Sequence, residues 1–308
     1  MSLRFPLFLS LSTLLVLGAC KKDDDDNSTP TPTPTPSGPR LVLKFKFDST
    51  QVRLNNIGLP STVPAGHGAQ SPRFNKMSAH YVEFAPSPIT ALGAGDVVYH
   101  APETTAGGPT AIDFSQSVKV GNGETFLNIP LSELSAGTYT WLRVSLAYQN
   151  YDIDFRYNDT QFGFGIMDLD ATVASFIGYN TYITSFPVHD QTITVNDDRL
   201  QGFWAFEVTN APFTVPAGSG QAPPGATTVV NPIFATSPIP AGSCVVTGAF
   251  AAPLVITGTE TEDVVITVSL STNKSFEWSD DLGDNIYEPL AGDTVVDMGV
   301  RGMIPIVE

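Results

Sequence analysis

Apolar residues recur at every second position along several stretches of this chain, and that period decides what it can fold into. Leu41, Leu43, Phe45 and Phe47 fall on one side of an extended chain, with Lys44 and Lys46 on the other. Leu142, Val144, Leu146 and Tyr148 share a side, as do Trp204, Phe206 and Val208, and also Val264, Ile266, Val268 and Leu270. Successive side chains of a strand point to opposite faces, so this alternation marks half-buried strands of antiparallel sheets. Shorter runs at 126–131, 191–195, 254–257 and 294–298 are separated by Gly, Pro and Asn. No window of about 12 residues carries a convincing helical period. Residues 168–176 are the one segment that reads as a short helix. A charged fraction of only 15%, beside 26 Gly and 25 Pro, fits many turns and few solvent-exposed helices. The expectation is an all-β protein: an antiparallel β-sandwich, elaborated or doubled, because stacked sheets are the economical way to bury such faces.

The first 39 residues follow a different logic. Arg4 precedes an apolar run over 5–16, and the run ends in Leu17-Gly18-Ala19-Cys20. A short apolar stretch behind a positive charge reads as a secretory signal, too short and wrongly flanked to span a membrane. Leu-Gly-Ala-Cys resembles a bacterial lipobox, which implies cleavage before Cys20 and lipid attached to that cysteine. Lys21-Lys22 and the four aspartates of 23–26 resemble the surface-export signal of Bacteroidota lipoproteins. The Thr-Pro run up to Pro36 is polyproline-like, a semi-rigid spacer. The expected organisation is a signal peptide over 1–19, an acidic Thr-Pro tether over 20–39, and a β-sandwich body over 40–308. A Gly/Pro-rich stretch over 217–224 reads as a long loop, and the body is either one unit or subdivided near 210–230. The resemblance places the protein in the outer membrane, anchored by lipid and facing the cell exterior.

The formal net charge of −16 argues against nucleic acid as a partner, since phosphate binding needs basic patches and none is visible. With Cys20 lipidated, Cys244 is the only other cysteine, and no intrachain disulfide can form. Cys244 lies in an apolar, strand-like setting and reads as a buried, inert thiol.

Phe45 and Phe47, then Ala79-His80-Tyr81-Val82-Glu83, then Ile129-Pro130-Leu131 with Ala136-Gly137-Thr138-Tyr139, carry a family resemblance. Over residues 41–210 this order resembles the periplasmic MbnP-like β-sandwich family, whose founding members accompany copper-binding peptides. The resemblance implies a fold; no set of copper ligands carries over residue by residue.

Candidate chemistry is sparse. In Asp280-Asp281-Leu282-Gly283-Asp284-Asn285-Ile286-Tyr287-Glu288, the carboxylates of Asp280, Asp281, Asp284 and Glu288 are hard oxygen donors around a tight turn. Such a loop suits calcium, which takes six to eight oxygens, and equally a solvated acidic hairpin turn. It departs from the EF-hand pattern at Leu282, Asn285 and Ala291. On a strand, Asn150, Asp152, Asp154 and Arg156 share one face, where the arginine keeps both carboxylates ionised. His67, His80, His100 and His189 show no zinc-hydrolase spacing, and there is no nucleophile elbow or phosphate-binding glycine loop. Trp141, Tyr179 and Tyr182 are candidate platforms for a sugar ring, whereas Trp204 reads as core. The reading is a non-catalytic surface module that binds an extracellular glycan or protein. The alternatives are a glycan hydrolase with loop-borne carboxylates and a copper-linked periplasmic protein of the MbnP-like kind.

Overall fold

A computed structural model describes residues 38–55, 59–159, 163–176, 180–222 and 245–308. The signal peptide, Cys20, nearly all of the tether, Tyr179, Cys244 and part of the 210–230 stretch lie outside the described residues. Among the described residues no helix is long and apolar enough to cross a membrane.

The body is built from strands, with two short 3-10 turns at Phe114–Gln116 and Leu131–Glu133. In chain order the strands are β1 (Arg40–Asp48), β2 (His67–Gln70), β3 (Arg73–Ala85), β4 (Asp96–His100), β5 (Glu103–Thr104), β6 (Ala111–Asp113), β7 (Thr125–Pro130), β8 (Gly137–Asp159) and β9 (Gly165–Phe176). They continue as β10 (Thr181–Pro187), β11 (Thr192–Arg199), β12 (Phe203–Val208), β13 (Gly218–Gln221), β14 (Val245–Ile256), β15 (Val264–Ser271), β16 (Phe276–Ser279), β17 (Thr294–Met298) and β18 (Met303–Val307). Residues 168–176, expected as helix, belong to β9 and pair antiparallel with β8. The reason is burial on both faces of an extended chain: Ala171 and Val173 pack on one side of the sheet and Ala174 on the other, while the backbone pairs along β8.

β8 organises the molecule. It is 23 residues long and lies at the middle of a seven-stranded sheet. One edge pairs with β3; the other pairs first with β14 and then with β9. Its first half, with β3 and β14, covers the sheet β18-β15-β1-β7. Leu41, Leu43, Phe45, Val82, Phe84, Leu142, Val144, Ile266, Val268 and Leu270 are fully buried in that layer, so the alternating positions face inward as expected. β1 and β15 run parallel, which the antiparallel expectation did not include; their separation in sequence supplies the long crossover a parallel pair needs.

The second half of β8 is covered on both faces. Tyr148, with Ala174 of β9 and Phe203 and Ala205 of β12, packs on Ile183 and Phe186 of the sheet β11-β10-β6-β5. On the reverse face Tyr151, Ile153, Ala171 and Val173 meet Phe276 and Trp278 of the sheet β17-β16-β2.

A buried ion pair fixes the β3–β4 connection. Glu83 and Arg143 are both fully buried, with Arg143 Nη1 3.4 Å from Glu83 Oε2. Glu83 Oε1 accepts from the backbone N–H of Gly93 (3.1 Å) and Gly95 (2.6 Å), and Oε2 accepts from Tyr81 Oη (2.7 Å). Arg143 Nη2 donates to the Thr90 carbonyl at 2.6 Å. A β-carbon on Gly95 would overlap the Phe84 carbonyl and lie 2.7 Å from Glu83 Oε1, so only glycine fits there.

Candidate functional site

A cavity of about 530 Å³ opens between the second half of β8 and the small sheet β17-β16-β2. The seven-stranded sheet supplies Ile153, Phe155, Ala171, Val173, Trp204 and Phe206, all odd positions of β8 and β9 or even positions of β12. Phe276, Tyr287, Pro289 and Val295 come from the facing side. Volume and lining lie in the range of small-molecule sites, which are mostly apolar with a few polar groups. Gln221 and Thr294 are exposed polar lining residues, while Asp293 and Asp297 also face the cavity. Trp204, expected as core, is only half-buried because the space above its ring is this cavity.

Glycines set the tilt of the wall. Gly220 lies opposite Trp204 and Gly218 opposite Phe206 across the β12–β13 pair. A β-carbon at Gly220 would sit 2.5 Å from Trp204 Cζ2, and one at Gly218 would sit 2.6 Å from Phe206 Cε1. The rings therefore lie flat over bare backbone, with centroids 6.1 Å apart. Trp278 uses the same device over Gly68, its partner on β2.

Charge is buried beside this space. Asp297 Oδ2 pairs with Arg301 Nη2 at 2.9 Å, while Asp297 Oδ1 is buried without a hydrogen-bond partner among the described residues. Burial raises the Asp297 carboxyl above its ordinary value, and the Arg301 charge only partly offsets it. Glu277 joins Arg53 and His67, with His67 Nδ1 2.7 Å from Glu277 Oε1.

The acidic loop forms one shoulder of the cavity through Tyr287, whose carbonyl accepts from Arg156 N at 2.8 Å. Asp280 uses its oxygens on the N–H groups of Gly283 (2.7 Å), Asp284 (3.3 Å) and Asn285 (2.7 Å). Asp284 Oδ1 accepts from Ile286 N at 2.9 Å. Asp293 accepts from the N–H groups of Asp281 (3.0 Å) and Glu288 (2.7 Å), tying the two ends of the loop together. The Glu288 side chain is buried.

Trp141 is half-buried on the first half of β8, and Tyr182 stands on β10 with its hydroxyl 2.9 Å from Asn196 Oδ1. Neither is among the residues lining the cavity. Arg156, expected to serve Asp152 and Asp154, pairs instead with Asp168 of β9 at 2.7 Å; Asp154 pairs with Arg73 at 2.8 Å, and Asp152 accepts from Asn75 Nδ2 at 2.9 Å and Thr172 Oγ1 at 2.7 Å.

Sequence spacing missed the histidines. Among the described residues, two groups of three metal-competent side chains place their donor atoms within 4.8 Å of one another: His80, His100 and Glu103, and His189, Asp190 and Glu207. Neither includes Asp280, Asp281, Asp284 or Glu288. In the second group Glu207 already accepts from the backbone N–H of His189 (3.0 Å), Asp190 (3.3 Å) and Gln191 (2.9 Å). In the first, both ring nitrogens of His80 are buried and lack partners among the described residues. Burial, with the His100 charge adding to it, pulls the His80 imidazole down to about 4.

No protein-family model, curated protein or solved structure matches the chain. The functional reading therefore rests on the cavity and on these side-chain clusters.

Proposed function

We propose that this chain is a binding module without chemistry of its own, anchored through lipid on Cys20 and presented on the outer face of the outer membrane. Its ligand is an extracellular glycan, free or carried on a protein. The supporting observation is the cavity itself, where the tilted Trp204 and Phe206 rings form an apolar wall and Gln221 and Thr294 supply exposed polar groups. A sugar ring presents C–H groups to such a wall and hydroxyls to such a rim.

Calorimetric titration of soluble oligosaccharides tests the binding. Trp204→Ala is expected to abolish the heat seen with the wild type. Binding that survives both Trp204→Ala and Phe206→Ala unchanged overturns the reading. Protease shaving of intact cells tests the location. Digestion of the body is expected; full protection contradicts surface exposure and favours the copper-linked periplasmic alternative.

One observation favours the hydrolase alternative. Asp293 and Asp297 line the same cavity, and a carboxyl raised by burial suits a general acid. Against it, Asp297 is paired with Arg301 and Asp293 holds two backbone N–H groups. Release of shortened glycan by the wild type, lost in Asp297→Asn, would establish hydrolysis.

A further inference from the structure

We propose that His80, His100 and Glu103 form a binding site for a divalent first-row transition ion of the zinc class, separate from the cavity. Two imidazoles and a carboxylate are the donors such ions take, and calcium is poorly served by them.

The backbone prepares the site. Ala79 pairs with Leu146 and Tyr81 with Ser145, so His80 is the extra residue of a bulge in β3. A bulge re-aims one side chain and recurs next to functional sites. Here the His80 ring is brought to 4.6 Å from the His100 ring, centroid to centroid, at 69° between planes. Ala101 N donates to the His80 carbonyl at 2.7 Å and locks the bulge to the end of β4.

The donors are in the required state. The Ala101 carbonyl can only accept, so His100 Nδ1, 3.0 Å away, carries its proton. In the neutral ring this leaves the lone pair on His100 Nε2, which lies 3.6 Å from Glu103 Oε1. A backbone carbonyl on the far nitrogen is the usual orienting partner of a metal-binding histidine. Both nitrogens of His80 are buried without a partner among the described residues, which is costly unless something occupies the lone pair. In the second histidine cluster the His189 nitrogens are not among the buried unpartnered atoms, and Glu207 already accepts from three backbone N–H groups.

The three donor atoms lie within 4.8 Å of one another. Tetrahedral zinc holds neighbouring donors roughly 3.4 Å apart, so the group must close by about an ångström. His80 is placed by the bulge and His100 by its bond to the Ala101 carbonyl, so the closing movement falls mainly to Glu103, whose side chain is 42% exposed. Three protein donors leave one position of a tetrahedral ion open to water or a ligand.

Titration of the full chain with zinc chloride tests the site by calorimetry, and cobalt(II) substitution tests it by visible absorption. Wild-type protein is expected to bind a single equivalent and to show the d–d bands of a four-coordinate nitrogen–oxygen site. His100→Ala, at an exposed position, is expected to lower zinc affinity by more than about 100-fold, beyond the 10–100-fold that an outer-shell loss costs. His80→Ala and Glu103→Ala should weaken it as well, and His189→Ala should leave it unchanged. Zinc should raise the melting temperature of the wild type and not of His100→Ala. No binding by the wild type, or binding indifferent to His80→Ala and His100→Ala, overturns the proposal.

Discussion

Replacing Glu83 with alanine should be among the most damaging single changes outside the apolar core. Glu83 and its partner Arg143 are fully buried, and the carboxylate receives four donors: the N–H groups of Gly93 and Gly95, the Tyr81 hydroxyl, and the Arg143 guanidinium. The substitution strands a buried positive charge, which costs about 3–5 kcal/mol. The stranded N–H groups belong to the same network, so their penalty of about 1–3 kcal/mol each overlaps with that figure and is not added to it. A loss of about 3–5 kcal/mol is a large share of a typical stability of about 5–15 kcal/mol. It should lower the melting temperature on the order of 10 °C. Arg143→Met alone removes the charge but leaves the carboxylate buried, and the pair Glu83→Ala with Arg143→Met leaves neither charge. The double variant should therefore be more stable than the sum of the single losses predicts. Chemical denaturation of all four proteins measures this coupling. A cost below about 1 kcal/mol for Glu83→Ala, or strict additivity across the cycle, would refute the assignment of the pair as the clamp of the β3–β4 loop.

Gly220→Ala should lift the Trp204 ring off β13 and into the cavity; we expect about 1–3 kcal/mol of destabilisation by denaturant and a matching drop in glycan affinity by calorimetry. Burial pushes the Glu207 carboxyl up, but the N–H groups of Gln191, His189 and Asp190 outweigh it and hold the group below its ordinary value. Stability from Glu207 is thus present above the unfolded carboxyl's range and lost as pH falls through the folded value, and Glu207→Gln should flatten that part of a pH series of melting curves. The turn at Asp280 is closed by its own hydrogen bonds, so adding a calcium chelator should leave the melting temperature unchanged; a marked fall would assign the ion a structural role there.

The strands were legible in the sequence because burial on one face leaves a period of two, as in Leu41, Leu43 and Phe45. The segment 168–176 misled because Ala, Leu and Asp suit either helix or strand, and only the long partner β8 decides between them. On β12 the buried side is Phe203, Ala205 and Glu207, whereas the side of Trp204 and Phe206, read as core, is only half-buried. That face is covered by segments as distant as 276–298, which leave space rather than packing, and local alternation carries no information about a covering layer. The histidine cluster was invisible for a related reason. His80 and His100 meet through a bulge and a hairpin register, and neither leaves a fixed spacing in the chain. The acidic loop was found by composition, but composition cannot tell carboxylates that cap backbone N–H groups from carboxylates that converge on an ion.

The placement of β1 has a consequence for the order in which this protein becomes itself. β1 leads the described body, yet it lies between β7 and β15, and β15 is closed in turn by β18 at residues 303–307. A chain that emerges from its N-terminus first can pair Leu41 and Leu43 with β7 once residue 130 has followed, but the other neighbour of β1, β15, comes only with residues 264–271. The sheet β18-β15-β1-β7 is therefore complete only when its last strand, β18, is in place. Pairing between strands so far apart in the chain is expected to make the last step of folding slow.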